Sequence, residues 1–492
     1  MRATPVALIG LLLVTPAIAF AGATDAADAA QKKDLSALRA LVRNKADVNA
    51  AQADGTTALH WAVMWNNDEA VTLLLRAGAD AKARNRYGAT PLSEAVSAGS
   101  ATMIGALLNA GADAKTLTTE DGETVLMTAA RAGNTDAVKL LLDRGADVNA
   151  REKYKGQTAL MWAAAERHPD VVKLLLDRGA DWKVRSFDRE TKIPKLSAAS
   201  SITPIPRGGF PALAFAAREG DIESARVMLE KGVDINYGDV DNTTALVVSI
   251  MNKQYTFAKF LIDRGADVSI AGGYGRTPLY AIVDMRNEDY SALPNRKADD
   301  PLPSIDVLKS LLDRGANANA TLTAFLPGRS GMDFGDTTLG VGTTPLMRAA
   351  RAGDTAALRL LLDKGADPAL TTKDGNTAFM LAAGVGYRDK NTRGSEPNAL
   401  ESVKMLLATG ADVRQKNARE ETALHGAADR GADTIVQFLV DRGAELNVKS
   451  KQGFTPLDVA MGKSSLLQLP VPKPTTVALL KKLGALEAKD LK

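Results

Sequence analysis

The residues best suited to acid–base or metal chemistry are three histidines, His60, His168 and His425. No H-E-x-x-H motif joins any of them, and no nucleophile elbow is present. Two stretches carry neighbouring carboxylates, Asp188 with Glu190 and Asp333 with Asp336, but neither stretch holds a histidine or cysteine. Gly208-Gly209 and Gly340-Val341-Gly342 are glycine-rich, yet they lack the spacing and the lysine of a phosphate-binding loop. Cysteine is absent from the chain, which excludes disulfides, zinc–thiolate sites, haem c attachment, thiol catalysis and a lipid-anchored N-terminus. These residues spell out no catalytic, cofactor or metal site, so the expectation is a protein that is not an enzyme.

The elements behind these residues repeat. KLLLDRGAD occurs at Lys139–Asp147 and again at Lys173–Asp181, 34 positions later (173 − 139). Looser copies include TLLLRAGAD at Thr72–Asp80, KFLIDRGAD at Lys259–Asp267, RLLLDKGAD at Arg359–Asp367 and KMLLATGAD at Lys404–Asp412. Ahead of each leucine run stands a second signature, such as TALH at Thr57, TPLS at Thr90, TALM at Thr158, TPLM at Thr344 and TALH at Thr422. Threonine there accepts a free backbone N–H and starts a helix. Pro91, Pro278, Pro345 and Pro456 follow at the first helical position, where a missing N–H costs nothing. Glycines such as Gly145 and Gly179 close the second helix through a left-handed backbone. A period of about 33 residues across most of the chain indicates a stack in which each unit buries its face on its neighbours.

The alternation of T-x-L-(H)-x-A with LLLxxGADxN closely resembles the ankyrin repeat, over roughly Ala23–Leu486. The resemblance implies an all-α solenoid of about twelve stacked units, each a helix–loop–helix with a hairpin-like turn. Ten clear units start at Gly55, Gly88, Gly122, Gly156, Gly209, Asn242, Gly275, Gly342, Gly375 and Glu420. Residues 23–54 read as an N-terminal capping repeat, 55–452 as the array, and 453–492 as a C-terminal capping repeat with a tail. Insertions at 183–208 and 321–341 fall between units, on the hairpin side. Those at 286–303, 386–397 and 464–475 fall between the two helices of a unit, at the opposite edge. His60 and His425 occupy the histidine slot, where the family uses the ring to brace the loop. His60 and His168 are three layers apart, or about 30 Å at roughly 10 Å per layer, so they share no site.

What remains is surface. The resemblance implies that a partner is read by hairpin tips and by the open side of the first helices. Tips carry Arg86, Tyr87, Tyr154, Phe210, Tyr274 and Arg276; first helices carry Met64, Trp65, Arg131, Arg218, Met251 and Arg351. Tyrosine, tryptophan and arginine dominate binding energy at interfaces. Trp61 and Trp162 lie one position inward and read as stack-filling.

Charge is nearly balanced, 61 basic against 58 acidic residues, a net +3 that leaves no footprint for nucleic acid or an anionic membrane. Arg2, the apolar run Val6–Val14 and Ala19-Phe20-Ala21 form a secretory signal of residues 1–21, too short to span a bilayer. The expectation is a monomeric scaffold or accessory factor, periplasmic or secreted, with a protein partner and no membrane insertion. A secreted effector engaging a foreign protein is the alternative, and an enzyme built on the inserted loops is a third.

Overall fold

The computed structural model describes residues 24–191, 205–287, 300–326, 338–387, 394–463 and 471–491. Among them are twenty-four α-helices in twelve consecutive pairs. The proposed signal at 1–21, and half or more of each insertion, lie outside the described residues.

The local chemistry of each pair is that of its signature. Thr90 Oγ1 accepts the N–H of Ser93 at 3.1 Å, and Thr344 Oγ1 that of Met347 at 3.2 Å. Second helices begin at a side-chain cap: Asn67 accepts from Ala70 N at 3.0 Å, Asn134 from Ala137 N at 3.0 Å and Asp354 from Ala357 N at 3.1 Å. They end at left-handed glycines, with φ of 85° at both Gly145 and Gly179.

Contacts divide the chain into two compact units after Asp147. In the first, helices Asp25–Gln31, Ala58–Met64, Pro91–Ala98 and Val125–Arg131 stack in one row. Leu35–Arg43, Asp68–Arg76, Ala101–Asn109 and Thr135–Asp143 stack in a second. The second unit builds the same two rows, from the pair Ala159–Ala165 and Pro169–Asp177 to the pair Pro456–Ala460 and Pro474–Lys482. Alanine lets the first helices approach closely: Ala129, Ala130, Ala163 and Ala164 are fully buried. The middle leucine of each LLL is the core member, with Leu141, Leu175 and Leu361 fully buried while their neighbours are partly exposed. Each such leucine contributes about 2 kcal/mol of burial. Helix Leu35–Arg43 buries only Leu38, as a terminal repeat facing water should.

Two devices join successive repeats. The asparagine of GADxN clasps the next GAD: Asn49 Nδ2 donates to Gly78 O at 3.0 Å while its Oδ1 accepts Asp80 N at 2.7 Å. Asn149 does the same to Gly179 and Asp181, and Asn319 to Gly365 and Asp367. Fingers, the hairpin-like turns, are also linked tip to tip. Arg86 N donates to Asp54 O at 2.7 Å, Thr323 N to Tyr274 O at 2.9 Å and Ala418 N to Asp374 O at 2.9 Å.

The insertion after Lys183 contains a real hairpin. Strands Asp188–Thr191 and Ile205–Gly208 pair antiparallel, with Asp188 opposite Gly208. The 321–341 and 386–397 insertions, which leave the stack at different points of their repeats, meet: Thr338 lies directly against Gly386. A Cβ on that glycine would come 2.0 Å from Thr338 Cγ2.

Candidate protein-binding surface

The expected surface residues take varied positions. In the first unit, Met64 and Trp65 end helix Ala58–Met64 and are 45% and 41% exposed. Trp65 stacks on Trp61, with centroids 6.0 Å apart, and Lys33 Nζ sits 3.9 Å from the Trp65 ring. Tyr87, at a finger tip, is 72% exposed, and the Arg86 guanidinium donates to its hydroxyl at 3.1 Å. Arg131 is exposed and pairs with Glu123 at 3.2 Å.

In the second unit Tyr154 is exposed at its tip. Arg218 is half-buried over the Phe215 ring and bonds Glu219 at 2.7 Å. Met251 and Arg276 are both half-buried and touch each other, Nη1 lying 2.9 Å from the sulfur.

Three placements overturn the expectation. Phe210 is not at a tip: it is half-buried edge-on to Phe215 at 6.2 Å, and its N–H donates to Ser186 Oγ at 3.0 Å. Tyr274 packs on the buried cluster Tyr280, Leu322 and Leu326 at the root of an insertion. Arg351 is 2% exposed and donates to the carbonyls of Val385 and Gly386. Phe210 is held by its own first helix and by Ser186, whereas Tyr274 and Arg351 are covered by residues at the roots of neighbouring insertions.

Sequence reasoning missed Phe187. It is 39% exposed, and its N–H donates to Lys155 O at 2.6 Å, as Arg86 N does to Asp54 O. It lies six residues beyond Asp181, as Arg86 lies six beyond Asp80. That count was the available signal, hidden by opening the insertion at Lys183.

The histidines serve the scaffold. Thr57 N–H points at His60 Nδ1, 3.2 Å away, so the ring proton sits on Nε2 and reaches Ala89 O at 3.2 Å in the next finger. His425 repeats this with Thr422 and Phe454 O. Burial pushes both imidazoles below their usual range, against the pull of those carbonyls. His168 caps helix Pro169–Asp177 by position, with no side-chain cap bond.

The buried charges are likewise structural. Arg348 Nε bonds Asp284 at 2.8 Å, and Arg286 grips Asp354 with two bonds at 2.9 and 3.1 Å. Burial raises the Asp354 carboxyl, but the Arg286 partner outweighs it and holds the group below the usual range. Among the described residues, no group of three His, Asp or Glu side chains is placed to hold a metal ion. No helix there is long and apolar enough to cross a membrane.

A family model described as "Ankyrin repeats (3 copies)" matches residues 27–117, 104–186, 201–272, 303–390 and 395–469. The chain belongs to the ankyrin repeat family. Among curated ankyrin relatives, human ankyrin repeat and SOCS box protein 6 is 28% identical over 47% of this chain and 50% of its own length. Human ankyrin repeat and SOCS box protein 16 is 34% identical over 51% of this chain and 47% of its own. The chain thus spans about half the length of these two. The ankyrin repeat protein YahD of Escherichia coli strain K12 is 28% identical over 40% of this chain and 94% of its own length. Ankyrin repeats mediate protein–protein interaction, and the family is generally non-enzymatic.

Proposed function

We propose that this ankyrin-repeat chain is an exported, non-enzymatic scaffold or accessory factor that binds another protein through its fingers and the ends of its first helices. The observation that carries the reading is where large apolar side chains meet water. Ten are exposed among the described residues. Eight of them, Met64, Trp65, Tyr87, Leu117, Tyr154, Phe187, Val240 and Phe325, lie on a finger or at the end of a first helix. The other two, Val471 and Leu486, belong to the C-terminal repeat, and none lies within a second helix. Large apolar side chains exposed on several fingers and a first-helix end, and on no second helix, support a binding role for those parts of the repeats.

Export rests on the apolar run and the small residues before Gly22. Intact-mass analysis of the native protein tests it: a start at Gly22 is expected, and retained Met1 refutes export by this signal. A pull-down from the envelope fraction then tests the scaffold reading. A stoichiometric envelope protein is the expected result. Recovery only in the culture medium, with a foreign protein bound, turns the reading to a secreted effector.

A further inference from the structure

We propose that three consecutive fingers of the second unit, 151–156, 182–188 and 237–242, form a docking strip for an acidic protein segment carrying apolar side chains. This rests on the protein-binding reading above and names the chemistry of the partner.

Each finger contributes one exposed apolar side chain: Tyr154 at 54%, Phe187 at 39% and Val240 at 48%. The fingers are held at fixed spacing. Phe187 N donates to Lys155 O at 2.6 Å, and Arg185 Nε to Gly238 O at 3.0 Å. The strip is therefore preorganised, which spares a partner the cost of ordering it.

Its charge is positive for a local reason. Arg151, Lys153 and Lys155 are exposed on the first finger. The acid among them, Glu152, is 6% exposed and turned inward, accepting the N–H groups of Tyr154, Lys155 and Gln157 at 2.5, 2.7 and 2.9 Å. Asp239 on the third finger does likewise for Asp241 N and Thr243 N, at 2.9 and 2.7 Å. Asp188 and Asp241 are the acids left at the rim. Two tip carboxylates are thus engaged by their own turns, while Lys153 and Lys155 are exposed on either side of Tyr154 and the Arg151 guanidinium lies against the Phe187 ring. A carboxylate-bearing segment with apolar anchors complements that pattern.

Single-stranded nucleic acid fits less well. It needs aromatic faces on which bases can stack. Here the Arg151 guanidinium lies 4.7 Å from the Phe187 ring and Lys155 Nζ 5.8 Å from that of Tyr154. The Arg151 and Arg185 Nε groups already donate to Gly156 O and Gly238 O. A second copy of the same strip would set cation against cation.

The test is to pan a random-peptide phage library on the full chain, with counter-selection on Tyr154→Ala/Phe187→Ala. Enriched peptides should combine Asp or Glu with Leu, Ile or Phe. A synthetic copy should bind wild type in a salt-sensitive manner and lose at least about tenfold in affinity on Lys153→Glu/Lys155→Glu. Both double variants should melt with wild type, since every changed side chain is exposed. Peptides without acids, or acidic peptides whose affinity survives both variants, overturn the strip and leave protein binding elsewhere on the chain intact. No enrichment over bare support overturns both readings. An oligothymidylate strand that binds wild type and is lost with the lysine reversal assigns the strip to nucleic acid instead.

Discussion

The side-chain oxygen of Asn149 accepts the backbone N–H of Asp181 at 2.8 Å, one repeat further along the chain. Its amide also donates to Gly179 O at 3.3 Å. One side chain therefore satisfies two backbone groups that the end of a second helix leaves open. Asn149→Ala should cost about 1–2 kcal/mol in urea unfolding. Hydrogen exchange should loosen around Gly179–Asp181 and leave distant repeats unchanged, because coupling in such stacks runs between neighbours. Uniform loosening along the chain would contradict the repeat account.

Acid should weaken the fold through His60 and His425. Burial lowers both pKa values in the folded state. The unfolded rings take up a proton near pH 6.5. Stability from the neutral rings is thus full above about pH 6.5 and is lost as pH falls below it. Urea midpoints should fall from about pH 7.5 down to about pH 5, with the fall setting in near the unfolded histidine pKa of about 6.5. His425→Ser should flatten part of that slope. Ser93 fills the equivalent slot in its own repeat, its hydroxyl oxygen accepting Thr90 N at 2.8 Å.

Backbone conformation gives a matched pair of substitutions. Gly179 has φ of 85°, and a Cβ there would meet nothing within 4 Å, so Gly179→Val is penalised by its backbone alone. A loss of about 1–3 kcal/mol is expected. Glu420 holds φ of 59° at the position where other repeats place glycine, such as Gly375 at 77°. Glu420→Gly should therefore raise stability, by up to about 1 kcal/mol. Thermal melts of the two variants should move in opposite directions.

The half-buried rings should behave as structure. Phe210→Ala with Tyr274→Ala removes the edge contact to Phe215 and the packing on Tyr280, Leu322 and Leu326. A loss of at least about 2 kcal/mol is expected. Arg351→Ala should cost about 1–3 kcal/mol, since it leaves the carbonyls of Val385 and Gly386 without that donor. A melting temperature unchanged in both variants would return these residues to the surface set.

What is legible in the sequence is what recurs. Thr90, Pro91, Leu141 and Gly179 stand for jobs that return in repeat after repeat, so their period marks helix starts, core and helix ends. His60 is readable on the same grounds, through the family slot it fills. The errors fall where the period breaks. Register places Arg351 on an open helix face, but register says nothing of Val385 and Gly386 curling over it. Tyr274 occupies a tip position, yet Leu322 and Leu326 at the root of an insertion bury it. Phe187 is hidden because the inserted hairpin begins at Asp188 and not at Lys183. A repeat pattern predicts the contacts each unit makes with its copies; the contacts of a unique insertion have no copy to be read from.

The claim that the fingers and first-helix ends bind a protein is tested most directly by calorimetric titration of the captured partner. Wild type is compared with Tyr87→Ala/Tyr154→Ala/Phe187→Ala and with the control Lys139→Ala/Lys173→Ala on second helices. The tip variant should lose at least about 2 kcal/mol of binding free energy at unchanged melting temperature, while the control binds as wild type does. Full affinity in the tip variant, or equal loss in the control, would contradict the account.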